Sequence, residues 1–450
     1  MPKIGQSSIL KPYWTTSDDK TVKLYHGHVI DVLKRLPAQS VHCCITSPPY
    51  WGLRDYKTGI WKGGREDCDH IQVTADRAHR HSTLGNSKTG LPITNAAYQS
   101  TVRQFAALCG KCGAQRIDIQ IGQEETPEHF IQNMVDVFRE VKRVLRNDGT
   151  LWLNLGDTYD GRGLVGVPWR VALALQEDGW ILRQDIIWCK PAPMPESVKN
   201  RCTKAHEYVF LFAKQRDYYY DAEAIKEKQS STCTSADFLP DSEKDLQDST
   251  GSSATRASRT NRSHDEINNG RNKRSVWTVA SSGYPGAHFA TFPPKLIEPM
   301  IKAGTSEKGC CSQCRSPYER IVEESGRVAI EDNETKRDRS AGNSNCVGAS
   351  TLHRDAVIPT TKTIGWQSSC ECNAGIIPCT VLDPFMGSGT TAAVCIEFGR
   401  RSVGIDLSEK YIVKNQVPRI EGVLLRRPST AHLIRRQAKS IMIKPMKRLE

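Results

Sequence analysis

The sequence predicts a three-layer α/β fold, a mostly parallel sheet with helices on both faces. Three observations point there. Short apolar runs suited to buried strands alternate with stretches of helical period. One such run, Val381-Leu382, ends in Asp383, passes through a Gly-Ser-Gly turn and enters a helix at Thr390-Thr391. The next strand ends in a second acid, Asp406. Of 450 residues, 38% are hydrophobic and the mean hydropathy is −0.50, enough for a sizeable core beside a large polar excess. Length alone allows about three average domains.

Taken in order, residues 1–20 read as a loose extension and 23–26 as a strand. Val29, Val32, Leu33 and Leu36 share one helical face, closed by Pro37. Residues 41–45 form a buried strand running into Thr46-Ser47-Pro48-Pro49-Tyr50-Trp51. Two consecutive prolines fix their own φ and remove two donors, so no helix or ladder continues through them, while their carbonyls stay free to accept. Taken alone, such a string reads equally well as an ordinary turn. Residues 57–117 are a polar insert. Thr126-Pro127-Glu128 opens a helix that reaches about Arg146 and stops at Asn147-Asp148-Gly149. Strands at 151–155, 181–188 and 209–212 and a helix at 167–176 complete a first half, 21–225. Within 226–287, residues 228–274 hold Ser, Asp, Arg, Asn and Thr with too little apolar surface to offset chain entropy, and are expected to be disordered or loosely held. The second half, 288–417, has a helix after Phe292-Pro293-Pro294, a polar insert at 305–375, a strand at 380–383, a helix at 390–398 and a strand at 402–406. A basic tail, 418–450, carries Arg426-Arg427 and Arg435-Arg436.

The formal charge of +12 and pI near 9.0 favour a polyanionic partner. The first residues have no apolar core of a leader peptide, and no apolar run approaches the length of a membrane span. A cytoplasmic protein with no membrane partner is expected. In a reducing compartment, sixteen cysteines are many, and clustered thiols there hold metal more often than they form disulfides. Cys68-x-His70 with Cys109-x-x-Cys112 supplies a Cys₃His set, and Cys311-x-x-Cys314 with Cys370-x-Cys372 a Cys₄ set. Both have the form of structural zinc ribbons, in polar inserts with little else to order them; scattered free thiols are the alternative. Cys310 adjoins Cys311 and could exchange roles with it. Cys43, Cys44, Cys189 and Cys395, in apolar surroundings, read as small core residues, and so does Cys379 beside Pro378.

The strand-acid-turn-helix-strand-acid unit offers free N–H groups at a helix start and an acid placed for a ribose. It has neither the G-x-G-x-x-G nor the G-x-x-x-x-G-K-[ST] string, which argues against dinucleotide and ATP binding. Set beside Ser47-Pro48-Pro49-Tyr50, Asp383-Pro384-Phe385-x-Gly387-Ser388-Gly389-Thr390 makes the chain resemble the amino-methylating DNA methyltransferases that use S-adenosylmethionine. The resemblance is to the group whose catalytic motif precedes the cofactor motif. It covers most of residues 21–56 and 118–225, then 288–304 and 380–415. Leu155-Gly156-Asp157 and Trp188-x-Lys190-Pro191 also look like the phage and bacterial modification-methylase subgroup.

The resemblance implies a Rossmann-like sheet, circularly ordered with the catalytic half before the cofactor half. It implies catalytic roles for Ser47, Pro48, Pro49 and Tyr50. It places S-adenosylmethionine on Asp383, Phe385, Gly387, Ser388, Gly389 and Thr390, on the ribose acid Asp406, and on Thr291-Phe292-Pro293. Double-stranded DNA is the implied substrate, and a cognate restriction endonuclease a candidate partner. Serine at the first motif position goes mainly with cytosine, so methylation of cytosine N4 is expected, with adenine N6 the alternative. An inactive methylase core on a zinc-containing nucleic-acid-binding protein, and methylation of RNA or protein, are further readings. In the family an acid follows the glycine before the first helix and helps hold the cofactor's adenine. This chain has Gly27-His28, with Asp31 or a backbone group as substitute. Base recognition is expected from 226–287 or the zinc inserts.

Overall fold

The computed structural model describes residues 10–16, 21–53, 59–65, 67–70, 109–117, 119–160, 163–227, 271–282, 291–328 and 358–426. In chain order its first elements are β1 (Trp14–Thr15), β2 (Val22–His26), α1 (Val29–Arg35), β3 (Val41–Thr46), β4 (Ile60–Lys62) and β5 (Gln115–Ile117). Next come α2 (Pro127–Val144), β6 (Leu145–Leu155), α3 (Val167–Glu177), β7 (Ile181–Cys189), β8 (His206–Ala213), β9 (Val276–Thr278) and α4 (Pro294–Gly304). The last are β10 (Cys310–Cys311), β11 (Tyr318–Val328), β12 (Ile358–Ser368), β13 (Ile376–Ile377), β14 (Thr380–Asp383), α5 (Thr390–Glu397), β15 (Arg401–Asp406), α6 (Glu409–Tyr411) and α7 (Val417–Leu425), with a π-helical stretch, Ile412–Gln416, between α6 and α7.

Nine strands form one sheet in the order β1-β2-β15-β14-β3-β6-β8-β7-β9. β2, β15, β14, β3 and β6 run parallel. β8 then turns antiparallel between β6 and β7. Side chains alternate between the two faces at the strand period of two. Cys44, Leu151, Leu153 and Leu382 meet the buried sides of α1, α2 and α3. Cys43, Ile45, Trp152 and Val381 meet α4 and α5. Val22, Leu24 and Met386 form a third cluster with α5 and α7. The predicted three layers are therefore present, with the cofactor strands β14 and β15 following the catalytic strand β3 in sequence.

Several boundaries differ from the sequence reading. Trp14 and Thr15 pair with Leu24 and Lys23, so the N-terminal extension is partly ordered by an edge of the sheet. α2 ends at Val144, because Leu145 already pairs with Val41; the Asn147-Asp148-Gly149 turn lies in a register shift inside β6 rather than after the helix. β8 begins at His206, three residues before its continuous apolar run, since β7 is there to pair with it. Most of 226–287 lies outside the described residues, but its end does not behave as a loose segment. Trp277 is 5% exposed and β9 pairs with Ile187–Cys189 of β7. One buried aromatic between two exposed neighbours is enough to anchor an edge strand. The basic tail beyond 426 also lies outside the described residues. Among the described residues, no helix is long and apolar enough to cross a membrane.

Candidate active site

The site lies at the C-terminal edge of the parallel strands. β14 and β3 are adjacent, with Leu382 opposite Cys44, so the loops after Asp383 and Thr46 leave the sheet side by side. A hydrogen bond joins them: Thr46 Oγ1 donates to Asp383 Oδ1 at 2.7 Å. Thr391 Oγ1 donates to Asp383 Oδ2 at 2.6 Å, and the Phe385 N–H to Oδ1 at 3.1 Å. Thr46 and Thr391 are fully buried and Asp383 nearly so. Burial pushes the Asp383 carboxyl up to about 6, although its three donors favour the charged form. Its visible work is to fix the turn against the catalytic loop.

The turn itself needs glycine at Gly389, which has φ of 77° and caps α5. A Cβ there would also come within 3.3 Å of the Gln416 backbone. Gln416 Nε2 donates to Gly387 O at 2.9 Å and to Asp406 Oδ2 at 2.7 Å, tying the turn to the second acid. The Ser408 N–H donates to Asp406 Oδ1 at 2.9 Å. Asp406 keeps some accessible surface, yet the surrounding protein is dense enough that burial pushes its carboxyl up to about 7, against those donors and Gly387 N–H. Arg419 of α7 donates to Ser388 Oγ at 2.9 Å and Thr390 Oγ1 at 2.8 Å. Phe292 packs on the core cluster that holds Val381 and Ile297, and Pro293 caps α4, so Thr291-Phe292-Pro293 flanks this half of the sheet. The loop, the start of α5 and the acid at the end of β15 lie together at one edge of the sheet, the placement that offers free N–H groups and an acid side by side. Gly27 and His28 lie between β2 and α1; His28 caps α1 without a side-chain hydrogen bond, and Asp31 sits in its first turn.

On the catalytic side, Pro48 is buried while Ser47, Pro49 and Tyr50 are partly exposed. Ser47 Oγ donates to Tyr50 Oη at 3.3 Å, and Tyr50 Oη donates to Glu207 Oε2 at 2.6 Å. Asn154 of β6 holds all three: its Nδ2 donates to Ser47 Oγ at 3.3 Å, Tyr50 Oη at 2.8 Å and Glu207 Oε2 at 3.1 Å. Asn154 is 4% exposed, and its Oδ1 is buried without a hydrogen-bond partner among the described residues. Lys190 pairs with the other Glu207 oxygen, Oε1, and lies 4.4 Å from the Trp188 ring. A cleft of about 150 Å³, lined by Tyr50, Gly156, Asp157, Lys190, Lys204 and Glu207, opens above this network. A larger groove, about 430 Å³, lies between α2 and α3, but no motif residue lines it and its arginines are ion-paired to Glu128 and Asp178.

Asn154 and Glu207 come from β6 and β8 and Lys190 directly follows β7, and no local motif announces their meeting. Glu207 reads from the sequence as structural or pocket-lining; it is hydrogen-bonded to Tyr50 at the floor of the cleft. The signal available was a polar residue, Asn154, inside the otherwise apolar run 151–155. Asp157 has a different task. It accepts from the N–H groups of Thr158, Gly166 and Val167, which caps α3. Gly156 lets the Tyr50 ring lie against the backbone, since a Cβ would come within 2.5 Å of the ring. Gly52 N–H donates to Gly122 O at 3.0 Å and Trp51 Nε1 to Glu124 O at 2.9 Å, which closes the catalytic loop on the end of the first insert.

Both predicted cysteine sets come together. Cys68, His70, Cys109 and Cys112 have their ligand atoms within 4.8 Å of one another, as do Cys311, Cys314, Cys370 and Cys372. The two Cys-x-x-Cys turns share one backbone pattern. In each, the fifth residue donates to the first carbonyl: Gly113 to Cys109 O and Arg315 to Cys311 O, both at 2.9 Å. In each, that fifth residue has left-handed φ, 70° for Gly113 and 64° for Arg315. Arginine rarely adopts this conformation, and the knuckle imposes it. Three thiols beside an imidazole in one set, and four thiols in the other, cannot all ionise this close together without a cation between them, so the donor sets fit Zn²⁺.

Cys310 does not join the Cys₄ set; it lies with His42 and Cys379. That third group is not built for metal. The Thr380 N–H donates to His42 Nδ1 at 3.0 Å, so Nε2 carries the proton and donates to Arg315 O at 2.9 Å, and no ring lone pair is left. Cys43, Cys44, Cys379 and Cys395 are buried core residues, while Cys189 is only partly buried.

Fold and site together define a sheet that presents the Asp383–Thr391 turn and the Ser47-Pro48-Pro49-Tyr50 loop on adjacent strands. The N6/N4 methyltransferase family, described as DNA methylase, matches residues 41–311 and 379–416. The type II methyltransferase M.Cfr9I of Citrobacter freundii is 30% identical over 86% of this chain and 84% of its own. M.XycI of Xanthomonas campestris pv. cyanopsidis is 30% identical over 91% of each. Among solved structures, a PvuII DNA methyltransferase described as cytosine-N4-specific superposes over 92% of each chain, with 14% identity and a TM-score of 0.46, a likeness too loose to argue from. The chain belongs to the N6/N4 family of DNA methylases. It is a DNA methyltransferase, and S-adenosylmethionine is its methyl donor.

Proposed function

We propose that the protein methylates the exocyclic N4 amine of cytosine within a specific sequence of double-stranded DNA. The observation that carries this reading is Ser47, a hydroxyl rather than a carboxylate or amide, at the end of β3 beside the Asp383 loop. Serine at this position goes mainly with cytosine in the family it belongs to. Adenine N6 is the second reading, because the family covers both amines.

A base inside a duplex is out of reach and must flip into the cleft, where its face stacks on the Tyr50 ring. Ser47 Oγ and the Pro48 carbonyl accept hydrogen bonds from the exocyclic amine and turn its lone pair toward the cofactor loop. S-adenosylmethionine supplies an electrophilic methyl group on a sulfonium. Asp406 would accept from its ribose hydroxyls, and the Gly387–Thr390 turn with the N–H groups of α5 would hold its methionine part. Rate then comes from positioning and electrostatics, without a covalent enzyme intermediate. We further propose one structural zinc in each cysteine set, and base recognition by 226–287 or the inserts. As a type II relative, the enzyme would serve DNA modification beside a restriction endonuclease in the cytoplasm.

The test is mass spectrometry of nucleosides from unmethylated DNA incubated with the protein and methyl-labelled S-adenosylmethionine. Labelled N4-methylcytosine is the expected product. Labelled N6-methyladenine in its place overturns the base assignment.

A further inference from the structure

We propose that Ser47, Tyr50 and Glu207 form a proton wire, which takes the proton shed by the amine during transfer and delivers it to the solvent-facing cleft. The proposal rests on the reading of the chain as an amine methyltransferase and holds for either base. Methyl transfer makes one N–C bond and breaks one S–C bond. The positive charge leaves sulfur and arrives on nitrogen, which must then lose one proton.

The structure holds a directed chain for that proton. Ser47 Oγ, which faces the amine, donates to Tyr50 Oη at 3.3 Å, and Tyr50 Oη donates to Glu207 Oε2 at 2.6 Å. Ser47 takes the amine proton as it gives its own to Tyr50, and Tyr50 gives its own to Glu207. Both hydroxyls end unchanged, one N–H bond is broken and one carboxyl O–H bond is formed. Asn154 fixes the geometry, because its Nδ2 reaches all three groups. Asn154 is itself an amide that accepts no proton at neutral pH, so the wire runs past it. Lys190 occupies Glu207 Oε1 and leaves Oε2 to Tyr50. The far end opens outward: Glu207 lines the cleft with Lys204, His206, Asp157 and Glu196, through which solvent can collect the proton.

A purely structural role for Glu207 predicts a different result from the same substitution. In Glu207→Gln an amide oxygen still accepts from Tyr50, so the ring stays held, but the wire has lost its base. The measurement is single-turnover transfer of labelled methyl groups to unmethylated DNA, with cofactor affinity and melting temperature measured on the same samples. The expected result is a loss of about 100-fold in transfer with cofactor affinity and melting temperature unchanged, and recovery of most of that loss in Glu207→Asp, which restores a carboxylate. Should Glu207→Gln not fold, Tyr50→Phe interrupts the wire while keeping the ring, and the same loss is expected. Transfer within about threefold of wild type by the variant tested, or no recovery in Glu207→Asp, overturns the wire alone. No transfer to DNA by the wild-type enzyme overturns the reading beneath it, and the wire with it.

Discussion

The cofactor half and the catalytic half of the sheet are held in different ways. Around Asp383 three donors satisfy one buried carboxylate, and the turn is tied to Asp406 through Gln416, whose own Oε1 is buried without a hydrogen-bond partner among the described residues. Around Ser47 the hydroxyls are partly exposed and Asn154 reaches Ser47, Tyr50 and Glu207 together, its Oδ1 likewise buried without a partner among the described residues. A cofactor bound in every turnover suits a rigid cradle. A base that arrives only after flipping suits a polar pocket that it completes. The two halves should therefore fail separately when altered, and each of the following substitutions tests that separation.

The largest effect is expected where one element supports both halves. The Cys₄ knuckle docks on the opposite edge of the sheet. Its Arg315 carbonyl accepts from His42 of β3, and His42 in turn accepts from Thr380 of β14. Arg146 donates to Cys314 O at 2.7 Å. Cys311→Ser should lower stability by more than about 4 kcal/mol, the range reserved for loss of a metal or a buried network. Cofactor binding and transfer should then fall together, with zinc content dropping from two to one per chain by native mass spectrometry. Cys112→Ser alters the other set, whose insert leads into the Gly122–Glu124 segment that holds Gly52 and Trp51. It should cost about 100-fold in transfer through a misplaced catalytic loop, while cofactor affinity stays within about threefold. Equal loss of both functions in Cys112→Ser would break the comparison.

A smaller effect is expected at Asp406. Its carboxyl is pushed up to about 7 from an ordinary 3.8, and ribose hydroxyls donate best to the ionised form. Cofactor affinity should rise as pH climbs from about 6 to about 8, and Asp406→Asn should abolish that dependence while weakening binding about ten- to hundredfold. Folding stability runs the other way. A carboxyl raised in the folded state contributes stability that is whole below the unfolded value and lost as pH rises through the folded one. Asp383, pushed up to about 6, behaves likewise, so both losses fall between about pH 4 and about pH 7. Titration calorimetry and thermal melting at matched pH read the two trends.

How much of this was legible followed the same division. The cofactor cradle is local: Asp383 to Thr391 is one continuous string, and its turn, helix start and acid could be read before any contact was known. Both cysteine sets were legible too, because metal ligands come in short-range pairs. The catalytic pocket was legible only at Ser47-Pro48-Pro49-Tyr50. Asn154, Lys190 and Glu207 reach it from β6, the end of β7 and β8, and their meeting depends on β8 running antiparallel between the other two, a register no local pattern dictates. Arg419 was hidden for the same reason, on a helix that returns to the cofactor turn from beyond β15.

The most direct test of the separation is Ser47→Ala, with cofactor affinity and methyl transfer to DNA measured on one preparation. In the proposed role the hydroxyl faces the amine, and it is Thr46 rather than Ser47 that bonds to Asp383. Transfer should fall by at least about 100-fold while the cofactor dissociation constant stays within about threefold of wild type. A parallel loss of both would show that Ser47 supports the cofactor cradle, and would contradict the role assigned to it.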